Sequence, residues 1–217
     1  MALSYTNIMP IGSANFITAA LILALKFYLL PRATAMPAFA LYIATSCITT
    51  SCYLLGWEST EAAWMPTVAV LGIAAAIECT RWVLALQSHE ERDAVSKWCV
   101  LLGLVLVATA MVDSPVTYPK YAPLVYEVRL YATVFSIGYL TALLGYCFAV
   151  SGGIPRFVWH ASILLLRLTT MGALLLVHDR ALWFSADLIG GAVNVLTLGA
   201  WLWIIPAKAG IVWRKSI

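Results

Sequence analysis

The chain has 217 residues, of which 63% are hydrophobic and 11% are charged, and its mean hydropathy is +0.91. About a quarter of the residues of an ordinary soluble domain are charged, so this composition excludes a water-soluble globular protein and predicts an integral membrane protein. Membrane topology is the first explanation of the formal charge of +3, and we therefore predict no nucleic-acid partner.

Seven apolar segments fit the chain when each receives about 20 residues, the length that crosses a bilayer as a helix. In chain order, the predicted spans A to G cover residues 11–30, 38–57, 67–86, 98–112, 123–150, 157–177 and 182–205. Prolines, glycines and charged residues separate these spans. The predicted fold class is therefore all-α: a single domain over residues 1–217, built as an integral membrane bundle of seven transmembrane helices with short loops.

The ends of the first four spans come from local signals. Span A follows a polar, uncharged segment with no basic region, so we predict a retained helix and not a cleaved signal peptide. The segment from Glu58 to Pro66 is predicted to be a short connection before span C. Residues 88–97 form the most charged stretch of the chain and are predicted to be a loop in water, which leaves span D as the shortest helix.

Basic residues collect on one side of this predicted topology. The side with the A–B, C–D and E–F loops and the carboxyl-terminal tail carries Lys26, Arg32, Arg92, Lys97, Arg156, Lys208, Arg214 and Lys215. The opposite side carries Lys120 and Arg180. Because lysine and arginine are retained on the cytoplasmic side, this asymmetry predicts a multi-pass protein of the cell membrane with its N-terminus outside and its C-terminus in the cytoplasm.

After the loop residues are assigned, six charged residues remain at membrane depth, namely Glu78, Arg81, Glu127, Arg129, Arg167 and Asp187. A charge at the centre of a membrane helix costs at least about 2.5–3.5 kcal/mol, so we expect these side chains to face the interior and to pair. Glu78 and Arg81 are three residues apart on one face of span C and are predicted to form an inner-half pair.

The other four residues form the candidate polar or ligand site: Arg167, Asp187, Glu127 and Arg129. The helical rise places Arg167 near the midplane and the others in the outer half, and Arg167 with Asp187 is the predicted ion pair. Two interpretations stay open. One is an outward-facing cavity between spans C, E, F and G that binds a small ligand or relays protons; the other is a set of structural ion pairs, with Glu127 close enough to the surface to reach water.

Histidine and cysteine predict no metal or cofactor site. His89, His160 and His178 lie at different levels, and no two share a helix at a spacing that would clamp a metal or haem. The five cysteines are odd in number and lie in or beside apolar segments, which argues against a disulfide framework. Small residues, namely Gly72, Gly190, Gly191 and residues 74–76, are predicted to allow close helix packing.

Two short elements resemble parts of the microbial rhodopsins, a family of seven-helix proteins. The element from Tyr126 to Arg129 is similar to the start of their fifth helix, and Asp187 matches the buried acid of their seventh helix. The family's retinal lysine follows that acid by four residues, and Gly191 stands at this position, so we predict no retinal Schiff base. Seven-helix sugar transporters fit the length and topology, but their proline-glutamine signature is absent, and we assign neither family.

No nucleophile elbow, phosphate-binding loop, dinucleotide-binding turn or zinc-protease motif is present in the sequence, so we predict no enzyme and no catalytic residue. The first functional hypothesis is a receptor-like or sensory module, or an accessory subunit of a larger membrane complex. The alternative is a small-solute or proton-coupled transporter that uses the outward-facing polar site. The bilayer is the predicted partner, and other membrane subunits or a small ligand remain open.

Overall fold

The computed structural model describes residues 36–54, 58–84, 87–113, 123–150, 156–175 and 180–204. Predicted span A lies outside these residues. Each described segment is built around one helix, and these ranges contain no strand. The six helices are α1 (Pro37–Leu54), α2 (Glu58–Val83), α3 (His89–Asp113), α4 (Pro123–Val150), α5 (Arg156–Leu175) and α6 (Arg180–Ile204). They correspond to predicted spans B to G, and the all-helical prediction is confirmed for this part of the chain.

Three stretches of these helices are long and apolar enough to cross a bilayer: Trp64–Val83, His89–Val112 and Glu127–Val150. Shorter apolar stretches occupy the other three helices, at Pro37–Thr49, Val158–Leu174 and Ile189–Ile204. A helix of 20 residues is about 30 Å long, which matches the hydrocarbon core of a membrane. The described part of the chain therefore supports a membrane location.

Helix α2 begins earlier than the sequence predicts, because residues 58–66 are its first turns and not a connection. Pro66 lies inside the helix. Proline is tolerated in membrane helices when neighbouring groups satisfy the backbone group that it frees, so it was a poor marker of the helix start.

Helix α3 also begins earlier, and the predicted loop at residues 88–97 was wrong because this stretch is helical from His89 onward. Ser88 and Glu91 form a capping box: the Glu91 amide donates to Ser88 Oγ and the Ser88 amide donates to Glu91 Oε2, both at 3.2 Å. The side chains of Glu90, Glu91, Asp93 and Lys97 are still exposed, as expected for residues in contact with water or lipid headgroups, and Arg92 is half-buried. At 25 residues, α3 is longer than α1 and α5 and is not the shortest span.

The packing of the helices is centred on α2, α4 and α5. Helix α2 packs against α1, α4 and α5, while α6 packs against α5, and α3 lies at the edge, mainly against α4. Contacts between aromatic rings show how the helix ends are arranged. The ring centres of Phe39, near the start of α1, and Trp201, near the end of α6, are 4.6 Å apart. Phe39 is also 4.6 Å from His160, near the start of α5. The starts of α1 and α5 and the end of α6 therefore meet at one end of the protein.

Helices α3 and α4 approach most closely where two glycines face each other. A Cβ atom built on Gly138 would lie 3.0 Å from the Cα of Gly103, and one on Gly103 would lie 3.0 Å from the carbonyl oxygen of Phe135. Backbone atoms cannot move aside as a flexible side chain can. This contact therefore requires glycine at both positions. The sequence alone does not show that these two glycines meet.

The predicted packing residues give mixed outcomes. Ala75 and Ala76 are fully buried, which confirms close packing of the alanine run. A Cβ atom on Gly190 would lie 2.7 Å from the end of the Leu174 side chain, whereas one on Gly72 would make only ordinary contacts. No described residue lies within 4 Å of a Cβ atom on Gly191, so its role in close packing stays a prediction.

Candidate functional site

Glu78, on α2, binds the backbone at the start of α1. Its carboxylate, 8% exposed on α2, accepts hydrogen bonds from the backbone amides of Phe39 at 3.0 Å and Ala38 at 3.3 Å. The first amides of a helix have no partner within the helix, and a negative charge is favourable there. Pro37, the first helical residue, needs no partner because proline lacks an N–H group.

This contact explains how an acidic residue is accommodated at this depth. Both Glu78 oxygens bind the α1 backbone, while Arg81, one turn further along α2, is exposed and attracts the Glu78 charge electrostatically. The prediction that Glu78 faces the interior is therefore confirmed. Its predicted pairing with Arg81 stays a prediction, and the α1 terminus is the partner that sequence spacing could not reveal.

Arg167 lies inside a cluster of aromatic side chains from three helices, here called the aromatic cluster: Phe39 and Tyr42 from α1, His160 from α5 and Trp201 from α6. Arg167 is only 4% exposed, and its Nε donates to Tyr42 Oη at 3.2 Å. The guanidinium carbon lies 5.5 Å from the centre of the Tyr42 ring and 6.0 Å from that of Trp201. Both rings are within the distance at which a cation is attracted to an aromatic face.

Helix geometry explains why these residues meet. His160 and Arg167 are two turns apart on α5 and therefore share one face, and both are buried. Trp201 is fully buried, whereas Trp203 is 88% exposed, because residues two apart point to nearly opposite sides of a helix. Side chains on a helix lean towards its amino terminus, which directs Arg167 towards Tyr42 and the start of α1.

The structure does not gather the four residues of the predicted polar site into one described cluster. Glu127 is exposed near the start of α4, in agreement with the interpretation that it reaches the surface. Arg129, half-buried, donates from Nη1 to the sulfur of Met65 at 3.4 Å and so connects α4 with α2. Asp187 belongs to α6, but its side chain lies outside the described part of the structure, so the pair with Arg167 stays a prediction.

A second buried polar group joins α2, α3 and α4 and was missed at the level of sequence. The hydroxyl of Tyr139 lies 2.6 Å from Thr80 Oγ1 and 3.3 Å from Ser96 Oγ, and Tyr139 is fully buried. Buried hydroxyl groups are normally hydrogen-bonded, because an unpaired one is costly. A tyrosine inside an apolar span gives no sign in the sequence of which helix supplies its partner.

Among the described residues, four buried side-chain atoms outside Arg167 have no hydrogen-bond partner: Nε of Arg92 on α3, and Nδ1 of His160, Nε1 of Trp201 and Oδ1 of Asn194. The last three lie on α5 or α6. In the described part of the chain, no group of three or more histidine, cysteine or acidic side chains is placed to hold a metal ion. A shallow groove on α3 is lined by Glu90, Asp93, Ala94, Lys97, Trp98 and Leu101; since one helix supplies all of them, it is an open surface and not an enclosed site.

No protein-family profile, curated protein or solved structure matches this chain at a significant level. The arrangement of the chain's own residues is therefore the basis for assigning a function.

Proposed function

We propose that the chain is a seven-span membrane protein with its N-terminus outside and its C-terminus in the cytoplasm. The packing supports this topology, because the starts of α1 and α5 lie at the same end as the end of α6. Glu78, near the end of α2, also contacts the start of α1. Consecutive helices running in opposite directions produce this arrangement, and the predicted span A would add the seventh crossing.

The charge distribution supports the orientation. Arg156 begins α5 at that end, and Arg92 and Lys97 lie in the first turns of α3. The contact of Ser96 with Tyr139, and of Tyr139 with Thr80 near the end of α2, places the start of α3 beside the end of α2. These basic residues therefore share the end that the positive-inside rule makes cytoplasmic.

For the biochemical role, we propose a non-enzymatic module, acting as an accessory subunit of a larger membrane complex or as a receptor-like sensor. This proposal depends on one observation: the two buried charged residues make contacts between helices. Glu78 binds the start of α1, and Arg167 binds Tyr42 and lies beside Trp201. Both are contacts between helices. Charges used in this way stabilise the arrangement of helices, which is what a structural or regulatory component requires.

Purification from the native source in a mild detergent tests this role. Mass spectrometry of the intact assembly should find the chain in a fixed ratio with other membrane subunits if it is an accessory component. Recovery of the chain alone or as a homo-oligomer would contradict the accessory-subunit role. A matched purification of an unrelated protein of similar hydropathy identifies the proteins that are retained nonspecifically.

A small-solute or proton-coupled transporter is the second candidate, favoured by the polar side chains of the aromatic cluster. His160 and Arg167 lie inside the protein on the α5 face that meets α1 and α6. Spans B, F and G would thus contribute to such a path, and the predicted site between spans C, E, F and G stays a prediction. Reconstitution in liposomes with a pH-sensitive dye tests this candidate: proton flux that is lost in Arg167→Gln but kept in Arg81→Gln would support it.

A further inference from the structure

Within the part of the chain that the structure describes, the interface between α5 and α6 contains buried polar atoms without a hydrogen-bond partner. Trp201 is fully buried and His160 is 3% exposed, yet Nε1 of the first and Nδ1 of the second have no hydrogen-bond partner. Their rings lie 5.9 Å apart between centres. An unpaired polar group is costly in an apolar environment, so two such groups on neighbouring rings require a common explanation.

A third unpaired polar atom lies on the same two helices. Asn194 precedes Trp201 by two turns on α6, and Arg167 follows His160 by two turns on α5. Because the helices run in opposite directions, Asn194 and Arg167 lie at the same level. Oδ1 of Asn194 is buried and has no partner, so polar groups recur along this face of both helices.

The chemistry of these atoms identifies the ligand. The indole N–H of Trp201 can only donate, while an imidazole nitrogen can accept and an amide oxygen only accepts. A ligand that serves them must both accept and donate within a closely packed space. Water does so, and buried waters in proteins occupy sites that offer two to four polar partners.

We propose that the α5–α6 interface is an internal hydration site, in which a bound water accepts a hydrogen bond from Trp201 Nε1 and donates one to His160 Nδ1. Arg167, whose guanidinium carbon lies 6.0 Å from the Trp201 ring centre, supplies a charge beside this site. The water thereby joins the ends of α5 and α6 where the rings of Phe39, His160 and Trp201 meet. This inference does not depend on which of the two proposed functions is correct.

Nuclear magnetic resonance of the full chain in lipid nanodiscs, with 15N-labelled tryptophan, tests the site. Each of the nine tryptophans gives one indole N–H signal, and Trp201→Phe identifies that of Trp201 by its loss. Because Trp201 is fully buried, a cross-peak between its indole proton and water reports a bound internal water and not bulk solvent. Trp203→Phe is the matched control, since Trp203 is exposed on the same helix and its loss should leave the Trp201 signal and cross-peak unchanged.

His160→Phe provides the second variant, because it keeps an aromatic ring against Phe39 and Trp201 but removes Nδ1. We expect the water cross-peak of Trp201 to disappear and its indole proton to shift upfield, while the other indole signals stay in place and show that the protein is folded. Absence of the cross-peak in the unmodified chain would overturn the proposal. So would a cross-peak that persists unchanged in folded His160→Phe, because His160 would then not hold the water.

Discussion

Glu78 is the residue whose role differs most from its expected one. Its spacing from Arg81 suggested an ion pair, but its two oxygens bind backbone amides of α1. The sequence was sufficient to predict that this acid faces the interior, because a charge in lipid is too costly. It was not sufficient to predict the partner, because a backbone amide of another helix has no signature in the side-chain pattern.

Replacement of Glu78 distinguishes an ion pair with Arg81 from the binding of the α1 amides. Glu78→Leu should lower the free energy of unfolding by about 1–3 kcal/mol, since it leaves two amide groups unsatisfied. Glu78→Gln keeps one acceptor oxygen and should have a smaller effect. Arg81→Gln is the control. Because Arg81 is exposed, its free energy of unfolding should stay within about 0.5 kcal/mol of that of the unmodified protein. Reversible unfolding in mixed detergent micelles measures all three, and equal effects of Glu78→Leu and Arg81→Gln would favour the ion pair instead.

Arg167 allows a test of the predicted pair with Asp187. Arg167→Leu removes the hydrogen bond to Tyr42 and the charge beside Trp201, and breaking a buried ion pair on one side costs about 3–5 kcal/mol. If Asp187 is the partner, adding Asp187→Leu should restore part of this loss. Thermal unfolding of the single and double variants in detergent measures the coupling, and additive effects would show that the two residues are not partners.

At the scale of the helices, the sequence predicted where apolar segments lie but erred at two starts. The start of α3 differs because the charge of residues 88–97 indicates a loop, whereas the capping box of Ser88 and Glu91 starts a helix there. The start of α2 differs because Pro66, which resembles a boundary in the sequence, lies inside the helix. The aromatic cluster and the Gly103–Gly138 contact depend on the relative position of separate helices, which the periodicity of one helix does not contain.

Ser88→Ala tests the cap of α3. Loss of an N-terminal serine cap typically costs about 0.5–2 kcal/mol, and here it also removes the acceptor of the Glu91 amide. We expect faster amide hydrogen exchange in the first turn of α3 and little change in its apolar part. Ser88→Asp should preserve protection, because aspartate is also a favourable cap; exchange that is unchanged in Ser88→Ala would contradict a capping role.

Gly138→Ala tests the close approach of α3 and α4. The added methyl group meets the backbone of Gly103 at about 3.0 Å, so the helices must separate, and overpacking of this kind costs about 1–3 kcal/mol. Gly145→Ala on the same helix is the matched control. Nothing lies within 4 Å of a Cβ atom there, and alanine is favoured over glycine by up to about 1 kcal/mol in a helix. In detergent, we expect Gly138→Ala to lower the free energy of unfolding and Gly145→Ala to raise it. A Gly138→Ala variant as stable as the unmodified protein would contradict the contact.

At the scale of the whole molecule, the arrangement of helix ends and the distribution of basic residues both support the proposed topology, which can be tested directly. The five native cysteines are free thiols within the helices, four of them buried and Cys47 half-buried, so they should react little with a membrane-impermeant maleimide. Single added cysteines therefore report the side on which they lie. Glu90 is exposed at the start of α3 and is predicted to be cytoplasmic, whereas Lys120 follows α3 and is predicted to be outside.

Lys120→Cys should label in intact cells, and Glu90→Cys should label only after permeabilisation, because α3 separates the two positions and is long enough to cross the bilayer. The reverse pattern would show that the orientation is opposite to the one proposed. Labelling of both positions in intact cells would show that α3 does not cross, and the seven-span topology would then be wrong. Ser216→Cys in the basic tail extends the same measurement to the carboxyl terminus, where labelling should again require permeabilisation, since lysine and arginine favour the cytoplasmic side.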